Sequence, residues 1–128
     1  MSRSWCALPL VAFLALTACN GGDRVEVRVL SKENFGEGSP RTCVVNVEIT
    51  NRGSAMLRTF NYWLYFNGNR SSVPYVSPVS NVPAGGSKTH LVVFVGIPCA
   101  QVPSRLDLHV EECVMGERDC TNAVSLRP

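Results

Sequence analysis

The chain has 128 residues, with twelve Lys and Arg against ten Asp and Glu, and 45% of it is hydrophobic. That length holds one domain at most. The near-neutral balance carries no basic stripe of the kind that binds nucleic acid, and like charges run no longer than Glu111-Glu112.

Residues 1–18 fall into three zones. Arg3 is the fixed positive charge of the first. Residues 6–16 are apolar apart from the neutral Pro9, and Thr17-Ala18 are small enough to enter a signal-peptidase pocket. The apolar run is far short of the roughly 20 residues that span a bilayer, so a cleaved leader is the better reading. The stretch Leu16-Thr17-Ala18-Cys19 resembles the lipobox of bacterial lipoproteins. That resemblance implies cleavage before Cys19, a diacylglycerol on its sulfur and acylation of its amine; two or three chains anchor stably where one would be marginal. Asn20, not Asp, follows the cysteine. In enteric bacteria this favours the periplasmic face of the outer membrane. The implied layout is a signal peptide over 1–18, the lipidated cysteine and a short tether over 19–23, and a folded domain over 24–128. Five residues span at most about 17 Å, so a partner must meet this protein at the membrane.

The remainder reads as strands. Val25, Val27 and Val29 alternate with Glu26 and Arg28, a half-buried strand. After the polar loop 31–40, Cys43, Val45, Val47 and Ile49 alternate with Val44, Asn46, Glu48 and Thr50. Asn51-Arg52-Gly53 then reads as a turn, with Asn and Gly supplying positive φ. Phe60, Tyr62, Leu64 and Phe66 line one face of a third strand, ended by Asn67-Gly68-Asn69. Pro74, Pro78 and Pro83 make 70–86 an edge strand or a loop over an edge, since proline cannot donate to a ladder. Thr89, Leu91, Val93 and Val95 face one way on the next strand; Val92 and Phe94 face the other, so a central position is expected. Leu106, Leu108 and Val110 make another strand, and the last runs from about 120 to 126. Several short strands with regular turn signals point to an all-β sandwich of about seven strands.

Four cysteines remain in the folded part: Cys43, Cys99, Cys113 and Cys120. An even number in a small exported domain reads as disulfides, and four allow three pairings. No pair has the C-x-x-C spacing of a zinc site and the two histidines complete no ligand set, so no metal or cofactor is expected.

Three segments carry a further resemblance: Val47-Glu48-Ile49-Thr50-Asn51-Arg52-Gly53, residues 60–68, and Pro83-Ala84-Gly85-Gly86-Ser87. With Leu106-Asp107-Leu108-His109-Val110-Glu111 they resemble the CARDB and fibronectin type III-like modules of bacterial surface proteins. The resemblance covers roughly residues 44–112 and implies an immunoglobulin-like (fibronectin type III-like) two-sheet sandwich. It says little about activity. In that fold the strands at 43–50 and 88–95 are antiparallel neighbours, which brings Cys43 to Cys99. Those at 105–112 and 120–126 form a hairpin, which brings Cys113 to Cys120. A one-residue bulge near Glu112 is expected, to bring Val124 and Leu126 to the same face as Leu108 and Val110.

Chemistry is sparse. His90 and His109 lie on predicted strands with no acidic or cysteine partner in local spacing. Glu111 and Glu112 are adjacent, so on a regular strand they point to opposite faces. No nucleophile elbow, P-loop or dinucleotide fingerprint occurs, and an enzyme is not expected. The better candidate is aromatic. With Phe60, Tyr62, Leu64 and Phe66 inward, Trp63 and Tyr65 face out, and Tyr75 on the next segment could extend the patch; Trp and Tyr are enriched in binding hot spots. The opposing reading is a reversed phase, or rings covered by the long Arg58 and Arg70 stems and the proline-rich segment. The expected protein is therefore a lipid-anchored envelope module that binds membrane through Cys19 and an envelope protein through that face. It would act as an accessory subunit or assembly factor, with no nucleic acid. The alternative is a ligand-binding or enzyme-inhibiting lipoprotein that inserts the hairpin tip at 114–119.

Overall fold

The computed structural model describes residues 23–38, 41–74 and 78–127; the leader, Cys19 and Tyr75 lie outside the described residues. Among these, nine strands form two sheets. They are β1 (Val25–Phe35), β2 (Thr42–Asn51), β3 (Leu57–Phe66), β4 (Asn69–Arg70), β5 (Val79–Val82), β6 (Ser87–Phe94), β7 (Asp107–Met115), β8 (Arg118–Asp119) and β9 (Val124–Arg127). One sheet has the order β6-β2-β1-β9. The other runs β4-β3-β7-β8, with β5 also paired to β3. The chain is thus an all-β sandwich with two disulfides, Cys43–Cys99 and Cys113–Cys120.

Period-two patterning builds the core. Cys43, Val45, Val47 and Ile49 on β2 meet Phe60, Tyr62 and Leu64 on β3, all fully buried. Burying each large apolar side chain contributes about 1.5–3 kcal/mol, which is why alternation alone selects the inner face. β4 and β5 pair with the two ends of β3. Asn67 and Gly68 link β3 to β4 with φ of 44° and 78°, the two positive values that a tight hairpin turn requires.

The expected bulge occurs one residue earlier and serves another partner. Asn61 pairs with Glu112 and Tyr62 with Val110, leaving Glu111 as the extra residue against β3. Leu108 and Val110 already face inward, so an unbroken strand would turn Glu112 and Val114 inward next. The extra residue brings Cys113 and Met115 inward instead.

Three expectations are corrected. The last strand does not pair with β7. β9 runs parallel to β1, with Val25 beside Val124 and Val27 beside Leu126, and on the side of β7 away from β3 only two-residue β8 is paired among the described residues. Placing Leu126 beside Val27 buries it against the core from the other sheet, so the apolar face is satisfied by a different neighbour. β6 is an edge strand, not a central one. Its second apolar face is only partly covered: Leu91 is 42% exposed and Val95, just past the strand, 76%, while Val93 between them is half-buried. Nor does the turn at 51–53 rely on positive φ. Asn51 is fully buried: its Nδ2 donates to Ala55 O at 2.8 Å and Val82 O at 2.9 Å, and its Oδ1 accepts from Gly53 N at 2.8 Å. Gly53 is required by close approach, because a Cβ there would collide with the Met115 sulfur.

The two bridges lie at opposite ends. Cys43–Cys99 ties the start of β2 to the short 3-10 turn Cys99–Gln101 beyond β6. Asn34 Oδ1 accepts from Cys99 N at 2.8 Å beside it. Cys113–Cys120 closes the β7–β8 hairpin. One lateral edge of the sandwich is joined by two serines. Ser71 N donates to Leu64 O at 2.8 Å and Ser71 Oγ accepts from Leu64 N at 3.0 Å on β3. Ser72 N donates to Val93 O at 2.9 Å and Ser72 Oγ accepts from Val93 N at 3.1 Å on β6.

Candidate partner-binding face

The inward set of β3 leaves Asn61, Trp63 and Tyr65 on the outer face of its sheet. β4 pairs with Tyr65 and Phe66 on one side of β3 and β7 lies on the other, and each supplies a contact to the Trp63 ring. The Arg70 guanidinium lies 4.3 Å from the Trp63 ring centroid. The His109 imidazole, paired with Trp63 across the ladder, stacks at 4.2 Å with an interplanar angle of 23°. His109 Nε2 is in turn 3.4 Å from Glu111 Oε1. Both faces of the indole are thus covered, and its edge remains beside Tyr65, which is 37% exposed. Four side chains of alternating character form one row across three strands: guanidinium, indole, imidazole, carboxylate.

Sequence reasoning finds Trp63 and Tyr65 from alternation alone. It misses His109, which the register of β7 brings in; Arg70, whose long stem it offers as a cover for these rings, is laid on Trp63 from the two-residue strand β4. The readable signal was the Asn67-Gly68 turn, which folds Arg70 back onto the strand carrying Trp63. Glu111 and Glu112 both lie on the outside, since the bulge removes the alternation that would have separated them. This is what lets Glu111 reach His109.

The other polar candidates sit apart. His90 lines a shallow groove of about 400 Å³ with Glu48, Ser87, Lys88 and Thr89. Its Nδ1 is buried without a hydrogen-bond partner among the described residues. Burial, with Lys88 nearby, lowers the imidazole below its usual range. Among the described residues no group of three His, Cys, Asp or Glu side chains is placed to hold a metal ion.

The hairpin at 114–119 is held down. Met115 is fully buried. Gly116 N donates to Met56 O at 2.8 Å, and Arg58 donates to Gly116 O at 3.3 Å. Arg118 forms an ion pair with Asp23 at 2.7 Å, so the hairpin packs against the first described residue of the chain. In comparisons with known proteins, the chain matches no family model, no curated protein and no solved structure.

Proposed function

We propose that the chain is a lipid-anchored bacterial envelope protein that acts as a non-catalytic binding module, an accessory subunit or assembly factor of a membrane-associated complex. The observation that carries this reading is the row Arg70, Trp63, His109 with Tyr65 beside it. Trp, Tyr and Arg are the residues that dominate binding hot spots. Here they are already ordered by stacking, so a partner has little side-chain freedom left to freeze. The lipobox resemblance of Leu16-Thr17-Ala18-Cys19 supplies the location. The alternative, insertion of the 114–119 tip, is less favoured because that hairpin is tied to Met56, Arg58 and Asp23.

Crosslinking and capture from membranes with the wild type and with Trp63→Ala tests the reading. Trp63→Ala forfeits one cation–π contact and one stack, about 1–2.5 kcal/mol in total, besides the indole's own burial, so a thermal melt must first show the variant folded. Capture of an envelope protein should be lost with Trp63→Ala. Equal capture by both proteins would refute the role of this face. Cys19→Ser should release the protein from membranes with both disulfides intact; a variant still bound after a salt wash would refute the anchor.

A further inference from the structure

The side of the sandwich opposite the serine-joined edge is open, and the openness follows from where β9 goes. β7 has β3 on one side. On its other side, Val114 and Met115 pair with β8, and Cys113 O accepts from Cys120 N at 2.9 Å. Nearer the start of β7 no strand among the described residues pairs with this edge, because β9 has joined β1.

The ladder shows which groups face that gap. Both main-chain groups of Leu64 are taken by Ser71, on the side away from β7. Leu64 therefore pairs with Leu108 in the non-hydrogen-bonded position. Leu108, and Val110 two residues on, turn their N–H and C=O groups outward to the free edge. No described residue bonds to them there.

The side chains agree. Leu106, Leu108 and Val110 are only half-buried, as are Val29 on β1 and Leu126 on β9. Their cross-strand neighbours Leu64 and Tyr62 are fully buried. A cleft of about 460 Å³ opens here, lined by Val29, Leu106 and Leu126 with Ser104, Arg105, Asp107 and Arg127. That lies within the roughly 300–1,000 Å³ of ligand sites. Arg127 is committed to Glu26 at 3.0 Å. Arg105 is exposed and has no partner among the described residues.

We propose that this opening is a strand-accepting slot for an extended segment of a partner protein. The guest pairs antiparallel with Leu108 and Val110 and presents apolar side chains at alternate positions to Val29, Leu106 and Leu126. It carries a carboxylate at its C-terminal end. Free main-chain donors and acceptors in register call for another backbone, which no compact ligand supplies as well. β7 starts at the mouth of the cleft, so an antiparallel guest ends there, beside Arg105. The unpaired guanidinium selects the carboxylate.

The probe is a fluorescein-labelled peptide, Thr-Val-Thr-Val-Thr-Val-Asp with a free C-terminus, titrated with the purified full chain in detergent and followed by anisotropy. Saturable binding is expected, weakened about ten-fold or more by Arg105→Glu, an exposed site where folding is not at issue. N-methylation of the peptide's valines, whose N–H groups face β7, should abolish binding. N-methylation of its threonines should change affinity by no more than about two-fold, because their N–H groups point away. Amide exchange at Leu108 and Val110 should slow on binding. Failure of the probe to saturate at about 1 mM would overturn the proposal. So would equal sensitivity to both methylation patterns, indifference to Arg105→Glu, or dimerisation of the chain through this edge.

Discussion

The two disulfides should differ sharply in what they contribute. They close loops of very unequal length, with sequence separations of 56 for Cys43–Cys99 and 7 for Cys113–Cys120. A bridge stabilises chiefly by removing freedom from the unfolded chain, and the loss grows with the logarithm of loop length. For these loops it amounts to about 4 kcal/mol and about 2.4 kcal/mol at 25 °C. The difference, about 1.8 kcal/mol, is set by the eight-fold ratio of the separations and is independent of the constant in the relation. Cys43, Cys113 and Cys120 are fully buried and Cys99 is partly so. Paired Cys→Ala variants of each bridge therefore leave voids of similar size, and the packing loss largely cancels in the comparison. Urea titrations followed by circular dichroism would read the result. With slopes of about 1–3 kcal/mol per molar, Cys43→Ala/Cys99→Ala should melt roughly 1 M below Cys113→Ala/Cys120→Ala. Equal midpoints, or a lower one for the short-loop variant, would refute the unfolded-chain argument. They would mean that the hairpin bridge works by holding Met115 and the 114–119 turn in the folded state.

Other perturbations probe single sites. Tyr62 is fully buried, its hydroxyl has no hydrogen-bond partner among the described residues, and burial pushes the phenol well above its usual range. Tyr62→Phe should stabilise the fold by about 1 kcal/mol, raising the melting temperature by roughly 4–8 °C. A drop would show that the hydroxyl is satisfied. Asn51→Ala removes three side-chain hydrogen bonds and should cost about 3 kcal/mol in the same melts; a loss below about 1 kcal/mol would exclude Asn51 as the organiser of its turn. His90 binds its proton less readily folded than unfolded. Stability is then level above the unfolded value of about 6.5 and falls as pH drops below it, a slope that His90→Leu should remove. At lower pH a second loss follows from Glu26, whose carboxyl is held below its usual value by hydrogen bonding from Arg127, with Arg52 adding to it. That contribution is full above about pH 4.5 and disappears as the carboxylate protonates; Glu26→Gln should flatten the second slope only.

Where the signal was local, the residues could be read directly. Alternation in Cys43 to Ile49 and in Phe60 to Phe66 assigns the two inner faces, and Asn67-Gly68 announces its turn. The cysteine pairs came from the resemblance, through the neighbouring of two strands, and the bonded pairs agree with it. What could not be read was choice of neighbour. Leu91 and Val95 make β6 look buried on both faces, yet nothing in their pattern says that the sheet stops there. Val124 and Leu126 have a clear inward face, but a period of two does not say whether β1 or β7 supplies the ladder. Asn51 looks like a turn former by composition, whereas its hydrogen bonds reach Val82, thirty-one residues away. The row on the outer sheet was half-legible in the same way: Trp63 and Tyr65 follow from parity, Arg70 and His109 from tertiary pairing.

The serine pair at residues 71 and 72 has a mechanical meaning beyond its hydrogen bonds. Ser71 grips β3 and Ser72 grips β6, so adjacent residues hold the two sheets together like the spine of a book. The facing side, between β7 and β9, has no such paired fastening among the described residues; it is tied only towards its ends, by Cys113–Cys120 and by Lys32 Nζ donating to Val102 O and Pro103 O. Widening of the sandwich between those ties would part the pages at Leu106 and Leu126 and leave the core beside Leu64 and Val93 shut.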